Sequence, residues 1–219
     1  MKFSKLSAIV ILCAFVAAGC AQPMTKTQKG AAYGTGIGAA VGAGLGQAIG
    51  GDTKGTLWGA GIGAAVGGLA GAGIGRYMDN QETALQQNFA ASESASIRRD
   101  ADVLAVTFKS DVLFDSGSAA LKPGAYQEIN RVSQVLTQYP ETRIMIAGHT
   151  DSDGSEAFNQ NLSVQRAEAV RNALVSQGVS ASRVTTSGFG ESQPIADNNT
   201  EAGKQLNRRV VVTIVPNNA

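Results

Sequence analysis

The sequence predicts an α/β or α+β C-terminal domain, a βαβαβ-type mixed sheet with its helices on one face, preceded by a glycine-zipper helical hairpin. Three observations point there. From about residue 100 onward, short β-branched runs alternate with longer stretches whose apolar residues recur at helical spacing. Between Lys29 and Arg76, glycine recurs at every fourth position in two uncharged runs. The stretch joining these regions is polar and free of glycine. A chain of 219 residues fits one large or two small domains. Its 18 Lys/Arg against 17 Asp/Glu leave a net charge of +1, with no concentration of basic residues of the kind a nucleic-acid binder carries. One His and two Cys, Cys13 and Cys20, leave no His/Cys metal cluster and no structural disulfide, and no cofactor motif is present.

The N-terminus reads as an address. Lys2 and Lys5 precede an apolar run from Leu6 to Ala18, too short to span a bilayer and of signal-peptide length. The run ends in Ala17-Ala18-Gly19-Cys20, which resembles a bacterial lipobox, with Ala17 where Leu or Val is usual. The resemblance implies a signal peptide over residues 1–19, acylation of Cys20, and a lipidated tether over 20–29. Ala21 stands where lipoproteins kept at the inner membrane often carry Asp, so the outer membrane is the expected destination, with the C-terminal domain in the periplasm. Several acyl chains make a stable anchor, each buried methylene adding about 0.8 kcal/mol.

Residues 30–75 hold the glycines. Gly34, Gly38, Gly42, Gly46 and Gly50 form one series, and Gly59, Gly63, Gly67, Gly71 and Gly75 a second. The string GTGIGAAVG at 34–42 returns as GAGIGAAVG at 59–67. A period of four lays these glycines along one helical stripe. Since each Gly costs a helix about 1 kcal/mol relative to Ala, the pattern implies close backbone approach between helices. The polar turn Gly51-Asp52-Thr53-Lys54-Gly55 makes the two runs a hairpin. Membrane insertion, self-association in water, and a flexible linker are the three readings, the last poorly matched to so strict a period. No Lys-Ser/Thr follows the glycines, which excludes a phosphate loop. The glycine-free stretch over 76–100, with Tyr77, Leu85 and Phe89 as its apolar points, reads as a helical, polar spacer fraying around Ser92 to Ser96.

The C-terminal module occupies residues 101–216. Asp102 to Phe108 reads as a strand. Pro123-Gly124 opens a helix whose Ile129, Val132, Val135 and Leu136 share a face, and which ends near Tyr139-Pro140. Arg143 to Ala147 is a second strand. Ser155 can cap a long helix that runs to Gln177, with Gly178 as its stop. Arg183 to Ser187 and Arg209 to Val215 complete the strands, with a polar connection between them. The alternation implies crossover units in one sheet.

In the helix after Ser155, an arc of about 160° carries Phe158, Ala169, Leu162, Ala173, Val170 and Leu174, and Arg166 falls at about 80°, its middle. A guanidinium there requires anionic or hydrogen-bonding partners. Asp151, in the loop before the helix, is the obvious one. A structural salt bridge and a recognition pair are both compatible with this arrangement. The second places the pair at the carboxyl edge of a strand, where open sheets bind ligands, and makes it complementary to a zwitterion.

GHTD at 148–151, Asn159, LSVQRAEAV at 162–170, GFGESQPIADN at 188–198 and NRRV at 207–210 together resemble an OmpA-like peptidoglycan-binding domain. FDSGSAALKP at 114–123 is similar to the same family's upstream segment. The resemblance implies a non-catalytic lipoprotein that binds the diaminopimelate side chain of peptidoglycan and tethers the outer membrane to the wall. It implies that Asp151 takes the ammonium and Arg166 forks onto the carboxylate. Thr150 and Asn159 match pocket-lining positions, Asn207 and Arg209 positions beside the pocket, and Asp115 is a further candidate that serves equally as a turn cap. Arg208 is expected to be a surface charge. The alternative is an oligomeric glycine-zipper membrane or stress protein in which wall binding only positions the hairpin.

An enzyme is not expected. His149 is the sole histidine, and nothing nominates a nucleophile or an oxyanion hole beside it. Asp151 and Asp153 are separated by a single Ser and followed by Gly154, a turn rather than a glycosidase cleft. The same DSDG string lacks the acids of a Ca²⁺ loop.

Overall fold

A computed structural model of the chain describes residues 72–217. Cys20, the leader, the tether and residues 30–71 of the expected hairpin lie outside the described residues. Helix α1 (Ala72–Phe89) begins inside the second glycine run. It is followed by β1 (Ala95–Asp100), β2 (Val103–Lys109), the short α2 (Ser110–Leu113), α3 (Ala125–Gln138), β3 (Thr142–His149), α4 (Glu156–Ser176), β4 (Val184–Gly188), α5 (Glu201–Asn207) and β5 (Arg209–Pro216).

The five strands form one mixed sheet in the order β1-β2-β5-β3-β4. Only β3 and β4 are parallel, joined across α4; the other pairings are antiparallel, and the last strand enters the centre of the sheet. The core lies on one face. Leu104, Ile214, Ile144 and Val184 make one row across the strands and Val106, Val212 and Ile146 the next. Against them pack Leu85 and Phe89 of α1, Ile129, Val132 and Leu136 of α3, and Ala167, Val170 and Leu174 of α4. Among the described residues no helix is long and apolar enough to cross a membrane.

Helix α4 has the expected ends. Ser155 Oγ accepts from the Phe158 amide at 3.2 Å, and Gly178 adopts the left-handed φ of +98° that stops the helix. Glycine is also required where α4 crosses the sheet. A Cβ on Gly148 would lie 2.1 Å from the Ser163 carbonyl oxygen, and one on Gly188 would lie 2.4 Å from the Val164 amide nitrogen. These two glycines let helix backbone rest directly on strand backbone.

The stretch 76–100 departs from the expected helical spacer. It is helical only to Phe89, and its tail is strand β1, paired in register with β2 from Ala95↔Phe108 to Asp100↔Val103. The turn between them has no glycine, and Ala101 takes φ +50° in the left-handed region, so the sequence carries no ordinary hairpin signal there. Met78, Leu85 and Phe89 bury one stripe of α1, and Arg99 of β1 joins it through Asp79 and Glu82. This stretch is therefore part of the folded domain.

Candidate functional site

The carboxyl end of β3, the first turns of α4 and the loop after α2 enclose a cleft of about 540 Å³. Its floor is Arg166, which is 3% exposed. Nε donates to the Ser118 carbonyl at 2.9 Å, Nη2 to the Asp115 carbonyl at 3.3 Å, and the guanidinium lies 5.2 Å above the Phe114 ring. The bridge between Phe114 and Leu121 closes the loop that presents those carbonyls. Among the described residues Arg166 has no ion pair, whereas every carboxylate around it that is paired is paired to another cation. Burial pushes its pKa down, opposed by the fields of Asp111 and Asp151.

Asp151 also lines the cleft and is buried. One of its oxygens, Oδ1, accepts from the Asp153 amide at 3.2 Å; the other, Oδ2, lies 2.6 Å from Arg208 Nη1. The expected direct pairing of Asp151 with Arg166 is thus absent, and the expectation of Arg208 as a bystanding surface charge is corrected. Thr150 is buried, donating from its hydroxyl to the Asp151 carbonyl. Asn159 holds the same loop, its Nδ2 lying 3.2 Å from the Asp151 carbonyl, 3.1 Å from that of Asp153 and 2.6 Å from Glu191 Oε2. Asp115 lines the cleft, but its contribution to Arg166 is a backbone carbonyl. Its exposed carboxylate pairs with Lys122 at 3.2 Å.

Two expected residues are not cleft residues. Asn207 is fully buried, and its Oδ1 accepts from the Ile195 and Ala196 amides at 2.8 and 3.0 Å while Nδ2 donates to the Ala196 carbonyl. It therefore fixes the 195–198 connection. Arg209 donates to the carbonyls of Asn207 and Gln193, at 3.2 and 3.1 Å, and burial lowers its pKa to about 10. Successive residues of a strand face opposite ways, and Arg209 opens β5 opposite His149. Arg208 sits one residue earlier, at the end of α5, and turns into the cleft.

His149 is buried and stacked on Phe189, ring centroids 5.3 Å apart. Burial, reinforced by the nearby Arg209 charge, holds its pKa well below the ordinary 6.5. The folded state thus prefers the neutral ring. The stability this contributes is complete above 6.5 and declines as pH falls below it. Thermal melts are expected to show a midpoint falling between pH 7.5 and 5.5, and His149→Gln is expected to flatten that slope. An equal slope in the variant would contradict this assignment.

Residues 113–208 match the family model described as OmpA family, and residues 1–79 match that of the YMGG-like Gly-zipper. The chain is 43% identical over 144 residues to the Escherichia coli K12 protein named "Probable lipoprotein YiaD", a match covering 66% of this chain and 65% of that one. It is 41% identical over 103 residues to the "Peptidoglycan-binding protein ArfA" of Mycobacterium bovis, covering 47% of this chain and 32% of that one. Matches to these relatives thus span less than two thirds of their lengths. A crystal structure of a MotB-like protein from Desulfovibrio vulgaris shares the fold at a TM-score of 0.60 and 22% identity, covering 67% of this chain and 95% of that one. Residues 113–208 are therefore an OmpA family domain, preceded in this chain by a YMGG-like Gly-zipper segment.

Proposed function

We propose that the domain binds peptidoglycan without covalent chemistry, gripping the free α-amino-acid end of diaminopimelate in the stem peptide, and that the chain thereby ties the outer membrane to the wall. The observation that carries this reading is the floor of the cleft: a buried guanidinium, tied to two backbone carbonyls and unpaired with any described carboxylate. Burying a charge without a counter-ion is unfavourable unless a ligand supplies one. A carboxylate fits the fork of Arg166, and the neighbouring Asp151 suits the ammonium one carbon away. The name of the Mycobacterium bovis relative and the OmpA family match support the same ligand class.

In this reading acylated Cys20 holds the outer membrane, the glycine-zipper segment contacts membrane or a second copy, and the domain works in the periplasm. Two reversible attachments on one chain turn weak wall binding into a lasting tether through effective concentration. The residues of the cleft bind and orient; none acts as a nucleophile.

Co-sedimentation with purified peptidoglycan tests this. Asp151→Asn keeps the acceptor for the Asp153 amide and removes the charge. Loss of one partner of a buried charge pair weakens binding by about thirtyfold or more, so the variant is expected in the supernatant. Pelleting equal to that of the wild type would contradict the proposal.

A further inference from the structure

We infer that Arg208 is an internal competing cation, which occupies the ammonium position on Asp151 and thereby lowers the affinity of the cleft for every amine, so that only ligands that bring a carboxylate along with their ammonium bind appreciably. This rests on the reading of the cleft as a receptor for an amino-acid end.

Arg208 Nη1 lies 2.6 Å from Asp151 Oδ2, the carboxylate oxygen that the 151–154 loop does not use. Its other nitrogens are also engaged: Nη2 lies 3.0 Å from Glu201 Oε1 and Nε 3.6 Å from Asp111 Oδ1. All four residues line the cleft, so three carboxylates there surround one guanidinium. The Asp151 side chain is 9% exposed and that of Arg208 23%, which places the cation on the solvent side of the anion it covers. Next along the rim, Asp153 is likewise occupied, by Lys204 at 2.7 Å.

This arrangement determines what an incoming ligand must do. Its ammonium has to displace Arg208 from Asp151. Displaced, Arg208 is not stranded, because Glu201 and Asp111 still neutralise it. The displacement is therefore feasible, and its unfavourable contribution is the same for every amine. A ligand that also carries a carboxylate offsets it at Arg166, whose charge has no acidic partner among the described residues. An amine without a carboxylate has nothing to offset it and is turned away. The preference itself comes from the carboxylate contact at Arg166, whereas Arg208 weakens every ligand alike and so sets the affinity that an amine alone does not reach. Arg208 acts through Asp151, as a competitor for that carboxylate rather than a direct ligand.

The test is an NMR titration of the full chain in detergent, wild type against Arg208→Gln. The probes are meso-diaminopimelate and cadaverine, the same five-carbon diamine without its carboxylates. The wild type is expected to bind diaminopimelate and to take cadaverine at least about fivefold more weakly, the scale of one partly exposed ion pair. In Arg208→Gln both ligands are expected to bind about fivefold more tightly, with the preference between them unchanged. Arg208→Lys, which retains the charge, is expected to keep the wild-type affinities, so a folding defect in the glutamine variant does not remove the test. Weaker diaminopimelate binding in Arg208→Gln would make Arg208 part of the receptor and overturn the inference, as would no change in either affinity. A wild type that binds no diaminopimelate would instead overturn the underlying reading of the cleft.

Discussion

Replacing Arg166 by Met is expected to abolish peptidoglycan binding while leaving the thermal midpoint within about 4 °C of the wild type, the shift produced by ~1 kcal/mol in a domain of this size. The two halves of that result have separate causes. Binding depends on a planar cation that can fork onto a carboxylate, and the expected loss is about thirtyfold or more. Stability depends on a different balance. Methionine leaves the Ser118 and Asp115 carbonyls without their guanidinium donors, an unfavourable change of about 1–3 kcal/mol before water entering the cleft replaces them. Against this, a buried charge with no paired carboxylate is exchanged for an apolar chain of similar length beside Phe114 and Leu162, and such exchanges are often neutral or stabilising. Arg166→Lys should also fail to bind, because an ammonium cannot present two parallel donors. Thermal melts and co-sedimentation on the same samples measure both halves. A variant that lost binding because it unfolded would identify Arg166 as a structural residue and remove the principal support for the cleft.

The second large effect is expected at Gly148, where substitution by Ala should destabilise the domain by more than about 3 kcal/mol. The added methyl would meet the Ser163 carbonyl oxygen at 2.1 Å, and neither backbone has a rotamer through which to yield. Helix α4 would have to lift from β3. That movement would also separate the two ends of the cleft, since Asp151 follows Gly148 by three residues and Arg166 follows Ser163 by three. Denaturant unfolding should therefore show a lower midpoint, and peptidoglycan binding should weaken although no cleft residue has changed. A stability within about 1 kcal/mol of the wild type would show that the crossing is looser than its backbone contact implies.

Much of this is legible in the amino-acid sequence alone. Ser155 and Gly178 mark the ends of α4 by local chemistry alone, and the apolar spacing of α3 fixes its buried face. The centre of the cleft was legible as well, because a guanidinium at the middle of an apolar arc is a conflict that local rules do not resolve. The parts that escaped depend on contacts between elements distant in sequence. Strand β1 has one strong apolar residue, Ile97, and a turn closed by an alanine at positive φ, so its identity comes from pairing with β2. The adjacent arginines at 208 and 209 are equivalent as letters. Which of them meets Asp151 is decided by where α5 ends and β5 begins. Phe158, counted with the apolar arc, is 51% exposed and lines the cleft instead of the core.

The most direct measurement of the central claim is a crystal structure of the domain grown with meso-diaminopimelate. The expected density shows the carboxylate of one end on the Arg166 fork and its ammonium within hydrogen-bond distance of Asp151, with Arg208 turned toward Glu201 and Asp111. Diaminopimelate bound elsewhere on the surface, with Arg166 still facing an empty cleft, would contradict the account.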